Sequence, residues 1–62
     1  MRRYRYFHMG LQGNILHVQV IECPDDGAAR QEAIAMLDQA SDAAIEVWYL
    51  DRHVSTHSRE SV

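Results

Sequence analysis

The feature that most constrains this chain is a pair of strand-like segments joined by a glycine-containing turn. Tyr4 to Met9 is rich in aromatic residues, and from Ile15 to Glu22 apolar residues alternate with polar ones. Between them, Gly10 to Asn14 contains two glycines and an asparagine, which tolerate a positive φ. The three segments together predict a β-hairpin.

The position of the hairpin loop decides which residues face each other. A two-residue loop at Gln12-Gly13 places His8 opposite His17, whereas a loop at Gly13-Asn14 places His8 opposite Gln19. Both loops leave the same residues on each face of the hairpin.

One helix-forming segment follows. Pro24 cannot donate to a strand ladder, and Asp25 or Asp26 can cap the helix that begins after it. The sequence predicts a helix from Ala28 to about Ala40. Its apolar stripe consists of Ala29, Ala33, Met36, Leu37 and Ala40, with Ile34 at the margin.

The rest of the chain predicts a third strand from Ala43 to Leu50 and a short fourth strand from His53 to Thr56. The polar residues 57–62 are expected to form a disordered tail, which leaves one small domain over residues 1–56. A helix that returns antiparallel to the second strand lets the third strand pair antiparallel with the first, in order 2-1-3. We therefore expect an α+β fold of type ββαβ(β), an antiparallel sheet with one amphipathic helix packed on one face.

Alternation along the strands then predicts two unlike faces of the sheet. The set expected under the helix is Phe7, Met9, Leu16, Val18, Val20, Ile45, Val47 and, as an option, Tyr49. The set expected on the open face is Tyr4, Tyr6, His8, Ile15, His17, Gln19, Ile21, Glu46 and Trp48.

The predicted open face is unusually rich in tyrosine, tryptophan and histidine, a composition typical of an interface. We expect a non-catalytic interaction or regulatory module that forms a homodimer through this face, or binds a heterologous protein partner. The residues assigned to the interface are Tyr4, Tyr6, His8, His17, Gln19 and Trp48. The alternative is a small-ligand or metal-binding protein that uses the histidines of this face.

Composition excludes several classes of function. Nine acidic residues against six arginines give a net charge of −3, so nucleic acid is an unlikely partner. No apolar run has the roughly 20 residues of a membrane span, and the N-terminus lacks the apolar core of a signal peptide. With a single cysteine, the chain fits a reducing compartment and is expected to be cytoplasmic.

No motif predicts an enzyme, a cofactor or a metal centre. The i, i+4 spacing of His53 and His57 suits helical metal ligands, but the residues between them favour a strand. The adjacent acids Asp25 and Asp26 are explained as helix caps, and Cys23-Pro24 as a small apolar group at the end of a strand. The serines lack the orienting group that an activated nucleophile needs.

Several stretches of the chain resemble a group of small alphaproteobacterial proteins of unknown function. The stretches are Arg-Tyr-x-Tyr-Phe-His near the start, Glu-Cys-Pro-Asp-Asp-Gly-Ala-Ala-Arg-Gln-Glu-Ala before and within the helix, and Ile-Glu-Val-Trp in the third strand. The resemblance covers roughly residues 3–54 and implies a fold but no activity. The hairpin followed by a helix is also similar to HicB-type antitoxins, although their Pro-x-Leu-x-Gly-Cys stretch is absent here.

Overall fold

Four antiparallel strands and one helix make up the part of the chain that the structure describes, residues 1–39 and 43–58 of a computed structural model. The elements are β1 (Arg2–Met9), β2 (Ile15–Cys23), α1 (Asp26–Gln39), β3 (Ala44–Tyr49) and β4 (Arg52–Ser58). The strands lie in the order β2-β1-β3-β4, and the helix packs on one face of the sheet. This confirms the predicted α+β class, the 2-1-3 strand order and the fourth strand.

The β1–β2 hairpin closes through a tight turn. The Gly13 amide donates to the Gly10 carbonyl at 3.0 Å, and the Gly10 amide donates to the Asn14 carbonyl at 2.8 Å. Gly13 has a φ of 83°, which side chains disfavour. His8 lies opposite His17, the pairing expected for a loop at Gln12-Gly13.

Helix α1 begins two residues earlier than predicted. The Asp25 carboxylate accepts a hydrogen bond from the Ala28 amide at 2.8 Å, so Asp25 is the N-cap. The predicted stripe is confirmed by Ala29, Ala33 and Leu37, which are buried against the sheet. Ala40, the predicted end of the helix, lies outside the described residues.

The helix does not lie centrally on the sheet. It packs mainly against β3 and β4 and contacts β2 less than either of them. Most of β2 is therefore exposed, from Ile15 to Val20 and at Glu22, whereas Ile21 is partly buried and Cys23 is buried.

Strand β4 extends further than the sequence suggests. Leu50 and Asp51 form the turn before it, and β4 continues to Ser58, two residues into the predicted tail. Residues 59–62 lie outside the described residues. Leu50 has a φ of 58°, and its carbonyl accepts a hydrogen bond from the Arg5 guanidinium.

Candidate interaction surface

The structure corrects the predicted faces of β1. Tyr4 lies opposite Tyr49, and Tyr6 lies opposite Val47, so both tyrosines share the face that the helix covers. Both are fully buried. Their assignment to an open interface is wrong, as is the placement of Phe7 and Met9 beneath the helix.

Hydroxyl groups explain why tyrosines occupy this core. The Tyr4 hydroxyl donates to the Asp26 carboxylate at 2.6 Å, and the Tyr6 hydroxyl donates to the Ala29 carbonyl at 3.1 Å. Each ring therefore fills the space below an alanine-rich helix while its polar end is paired. Burial, followed by the hydrogen bond with Cys23, raises the pKa of Tyr6 above its ordinary value of 10.0, so the hydroxyl stays protonated.

His8, His17 and Gln19 lie together, but on the helix side of the sheet rather than on the open face. His8 is buried, and its ring stacks on His17 with centroids 4.0 Å apart and planes 14° apart. Its Nε2 atom is 3.1 Å from the Gln19 side-chain oxygen. His17 and Gln19 themselves are exposed, because only the end of β2, at Ile21 and Cys23, packs against the core beneath the helix.

Trp48 is the predicted interface residue that does lie on the open face. Its ring meets the Phe7 ring edge to face, with centroids 6.4 Å apart, and its indole nitrogen donates to Glu46 at 3.1 Å. A shallow groove of about 370 Å³ runs beside this pair, lined by Arg5, Phe7, Met9, Ile15, Glu46, Trp48, Leu50 and Asp51. Charged groups thus border an apolar centre.

The apolar residues of β2 continue this surface to the edge of the sheet. Val18 lies opposite Phe7, and Val20 lies opposite Arg5, so both are on the open face. They are 48% and 56% exposed, and Ile15, opposite Met9 on the same face, is 56% exposed. We call Phe7, Ile15, Val18, Val20 and Trp48 the open apolar face.

Sequence reasoning placed Ile15 and Trp48 on the open face but missed the other three, because it placed Phe7, Val18 and Val20 beneath the helix. The neighbouring arginines carry the signal that could have found it. Arg3 and Arg5 share a face with Phe7, so burying Phe7 under a helix would have buried two charges as well. In the structure Arg3 approaches Glu22 on the adjacent strand at 3.7 Å.

The histidines do not assemble a metal site. His53 lies opposite Trp48 on the open face, whereas His57 lies opposite Ile45 on the helix side, because β4 is irregular between these positions. Each ring is paired locally, His53 with Thr56 at 2.8 Å and His57 with Ser55 at 2.9 Å. Within residues 1–39 and 43–58, no group of three or more His, Cys, Asp or Glu side chains could hold a metal ion.

Comparison with known proteins identifies no relative. No family model, curated protein or solved structure matches this chain. Within the described ranges, no helix is long and apolar enough to cross a membrane.

Proposed function

We propose that this protein is a non-catalytic interaction module that binds a second copy of itself through the open apolar face. The observation that supports the proposal is the exposure of Ile15, Val18 and Val20 beside Phe7 and Trp48, while the other face of the sheet carries the helix. Apolar surface that is contiguous and bordered by charged groups is typical of protein interfaces.

A second copy suits this surface better than a charged ligand. The apolar side chains of β2 offer no charge to recognise, and the Arg5 guanidinium and the Trp48 indole N–H are engaged within the same molecule, with the Leu50 carbonyl and with Glu46. A small domain with one helix on one sheet face gains stability when association buries part of its exposed apolar surface.

The test is the molar mass in solution, measured by size-exclusion chromatography with light scattering from about 1 μM to about 1 mM, a range that captures weak association. We expect the mass to rise from 7.2 kDa toward twice that value. Val18→Lys places a charge in the apolar face and should weaken association about tenfold or more.

Thr56→Lys is the matched control. Thr56 is an exposed residue on the same face of the sheet, opposite Glu46 on the far edge strand, and the substitution adds the same charge. This variant should associate as the unmodified protein does. A protein that remains monomeric at about 1 mM contradicts the proposal.

A further inference from the structure

The outer edge of β2 has the backbone of a strand without a neighbour. Within the described part of the chain, β2 is nine residues long and pairs only with β1. Amide and carbonyl groups on its other side therefore point away from the sheet. Such an edge is a template for pairing with another strand.

This edge lacks the features that usually prevent pairing. From Ile15 to Cys23 it contains no proline and no lysine, and Glu22 near its end is the single charged residue. Its one irregularity is near the turn, where Met9 lies opposite Ile15 after His8 lies opposite His17. The rest of the strand pairs regularly with β1, and it is exposed up to Val20 and at Glu22.

The side chains of β2 also select how two copies would pair. Two identical edges related by a two-fold axis pair antiparallel, and residues directly opposite each other then share a face. With Val18 on the axis, Leu16 lies opposite Val20 of the other copy, and His17 lies opposite Gln19. Apolar residues thus meet apolar residues on one face, and hydrogen-bonding groups meet on the other.

Neighbouring registers match less well. With Gln19 on the axis, Leu16 lies opposite Glu22 and His17 lies opposite Ile21, so polar and apolar side chains are opposed. With Val20 on the axis, Val18 lies opposite Glu22. Cross-strand pairs of like character stabilise a sheet, so the register centred on Val18 is the favoured one.

We infer that two copies join through their β2 edges, antiparallel and with Val18 on the two-fold axis, to form one continuous eight-stranded sheet. This inference rests on the proposed self-association and specifies its geometry: the second copy meets the β2 margin of the open apolar face, at Val18 and Val20, and does not cover Trp48. The two open apolar faces then lie side by side on the same surface of the joined sheet, with Leu16, Val18 and Val20 at the junction.

Disulfide cross-linking tests the register. In a Cys23→Ser background, Val18→Cys brings two thiols to directly opposite positions, where Cα atoms are about 4.5 to 5.5 Å apart, within the range that a disulfide spans. Val20→Cys is the matched control, since Val20 is the same residue type on the same face. Its two copies would lie four residues apart along the strands, about 14 Å, which is too far.

Under mild oxidation, we expect Val18→Cys to give at least about tenfold more cross-linked dimer than Val20→Cys. Trp48 is the single tryptophan and lies two strands away from the β2 edge. Edge pairing therefore leaves its fluorescence emission unchanged with concentration, whereas packing of two open faces against each other shifts it to shorter wavelength.

The other outcomes separate this inference from the proposed function. Equal or preferential cross-linking of Val20→Cys overturns the register. A dimer that neither cysteine cross-links, or a concentration-dependent Trp48 shift, overturns edge pairing but leaves self-association in place. A chain that is monomeric at about 1 mM overturns both.

Discussion

The two edge strands of this sheet differ in length, chemistry and protection. β2 is nine residues long, largely apolar and scarcely contacted by the helix. β4 is seven residues long and mostly polar, and α1 packs against it. His53 and His57 on β4 also pair with hydroxyl groups of their own strand. One helix can cover one edge of a four-stranded sheet, and the other edge is left open to a partner.

The helix is attached to two strands of the sheet at its N-terminus. The Asp26 carboxylate accepts a hydrogen bond from Tyr4 on β1 and is 3.2 Å from the Arg52 guanidinium on β4. Arg2 lies 3.4 Å from the same carboxylate. These contacts tie the start of α1 to β1 and β4, whereas Gln19 and His17 on β2 stay exposed.

The largest effect is expected from a substitution that enlarges a side chain beneath the helix, because it should remove the difference in protection between the two edges. Ala33 is fully buried between α1 and the sheet. Ala33→Leu inserts atoms where none fit, so it should lower the free energy of unfolding by about 1 to 3 kcal/mol, measured by urea denaturation. A helix displaced in this way would also uncover β4.

Val20→Leu is the control for this substitution, because it enlarges an exposed side chain on the open edge. It should change the free energy of unfolding by less than about 0.5 kcal/mol at a concentration where the protein is monomeric. If both variants are equally stable, the helix does not pack closely on the sheet and the two edges do not differ in protection.

The strands and the helix were predictable from the sequence, but sequence reasoning assigned the wrong face of the hairpin to the helix. Strand alternation and the helix stripe are local properties, so Ile45, Val47, Ala29 and Ala33 were assigned to the core as they are found. For β1 each face carries aromatic side chains, and the choice depends on whether a tyrosine hydroxyl finds a partner.

That partner lies far away in sequence, so within β1 itself only the charges of Arg3 and Arg5 indicate which face stays open. The Tyr4 and Asp26 side chains are 22 residues apart, and the Tyr6 hydroxyl meets a carbonyl 23 residues away. The position of the helix sets these contacts, and the alternation of side chains within β1 gives no information about that position. The exposure of Val18 and Val20 has the same origin, since it follows from where the helix lies and not from the alternation of β2 itself.

Removing the charge at Asp26 should weaken the contacts between the helix and the covered side of the sheet, and it should leave the open β2 edge unchanged. The hydrogen bond from Tyr4, followed by contributions from Arg52 and Arg2, lowers the pKa of Asp26 below its ordinary value of 3.8. A carboxyl with a lowered pKa in the folded state stabilises the fold above pH 3.8, and this contribution is lost as the pH falls further.

Asp26→Asn should therefore lower the melting temperature at neutral pH, by less than Ala33→Leu does, and the difference from the unmodified protein should shrink below pH 3.8. Asp51→Asn, which removes the same charge from an exposed turn, is the control and should leave the melting temperature nearly unchanged. A melting-temperature difference that stays constant across the acidic range would show that Asp26 stabilises the fold without its charge.

The smallest expected effect is on His57, which reports how closely α1 covers β4. Burial, followed by the positive charge of Arg30 on the helix, lowers the pKa of His57 below its ordinary value of 6.5. The unfolded chain therefore binds a proton more readily, so stability is greatest above pH 6.5 and falls as the pH decreases through the folded-state pKa.

Arg30→Gln should raise the His57 pKa toward 6.5 in an NMR titration, while Arg30→Lys, which keeps the charge, should leave it close to that of the unmodified protein. A His57 pKa that does not respond to Arg30→Gln would mean that the charge on the helix does not reach the β4 edge, and that the polar side chains of β4 protect this edge without electrostatic help from α1.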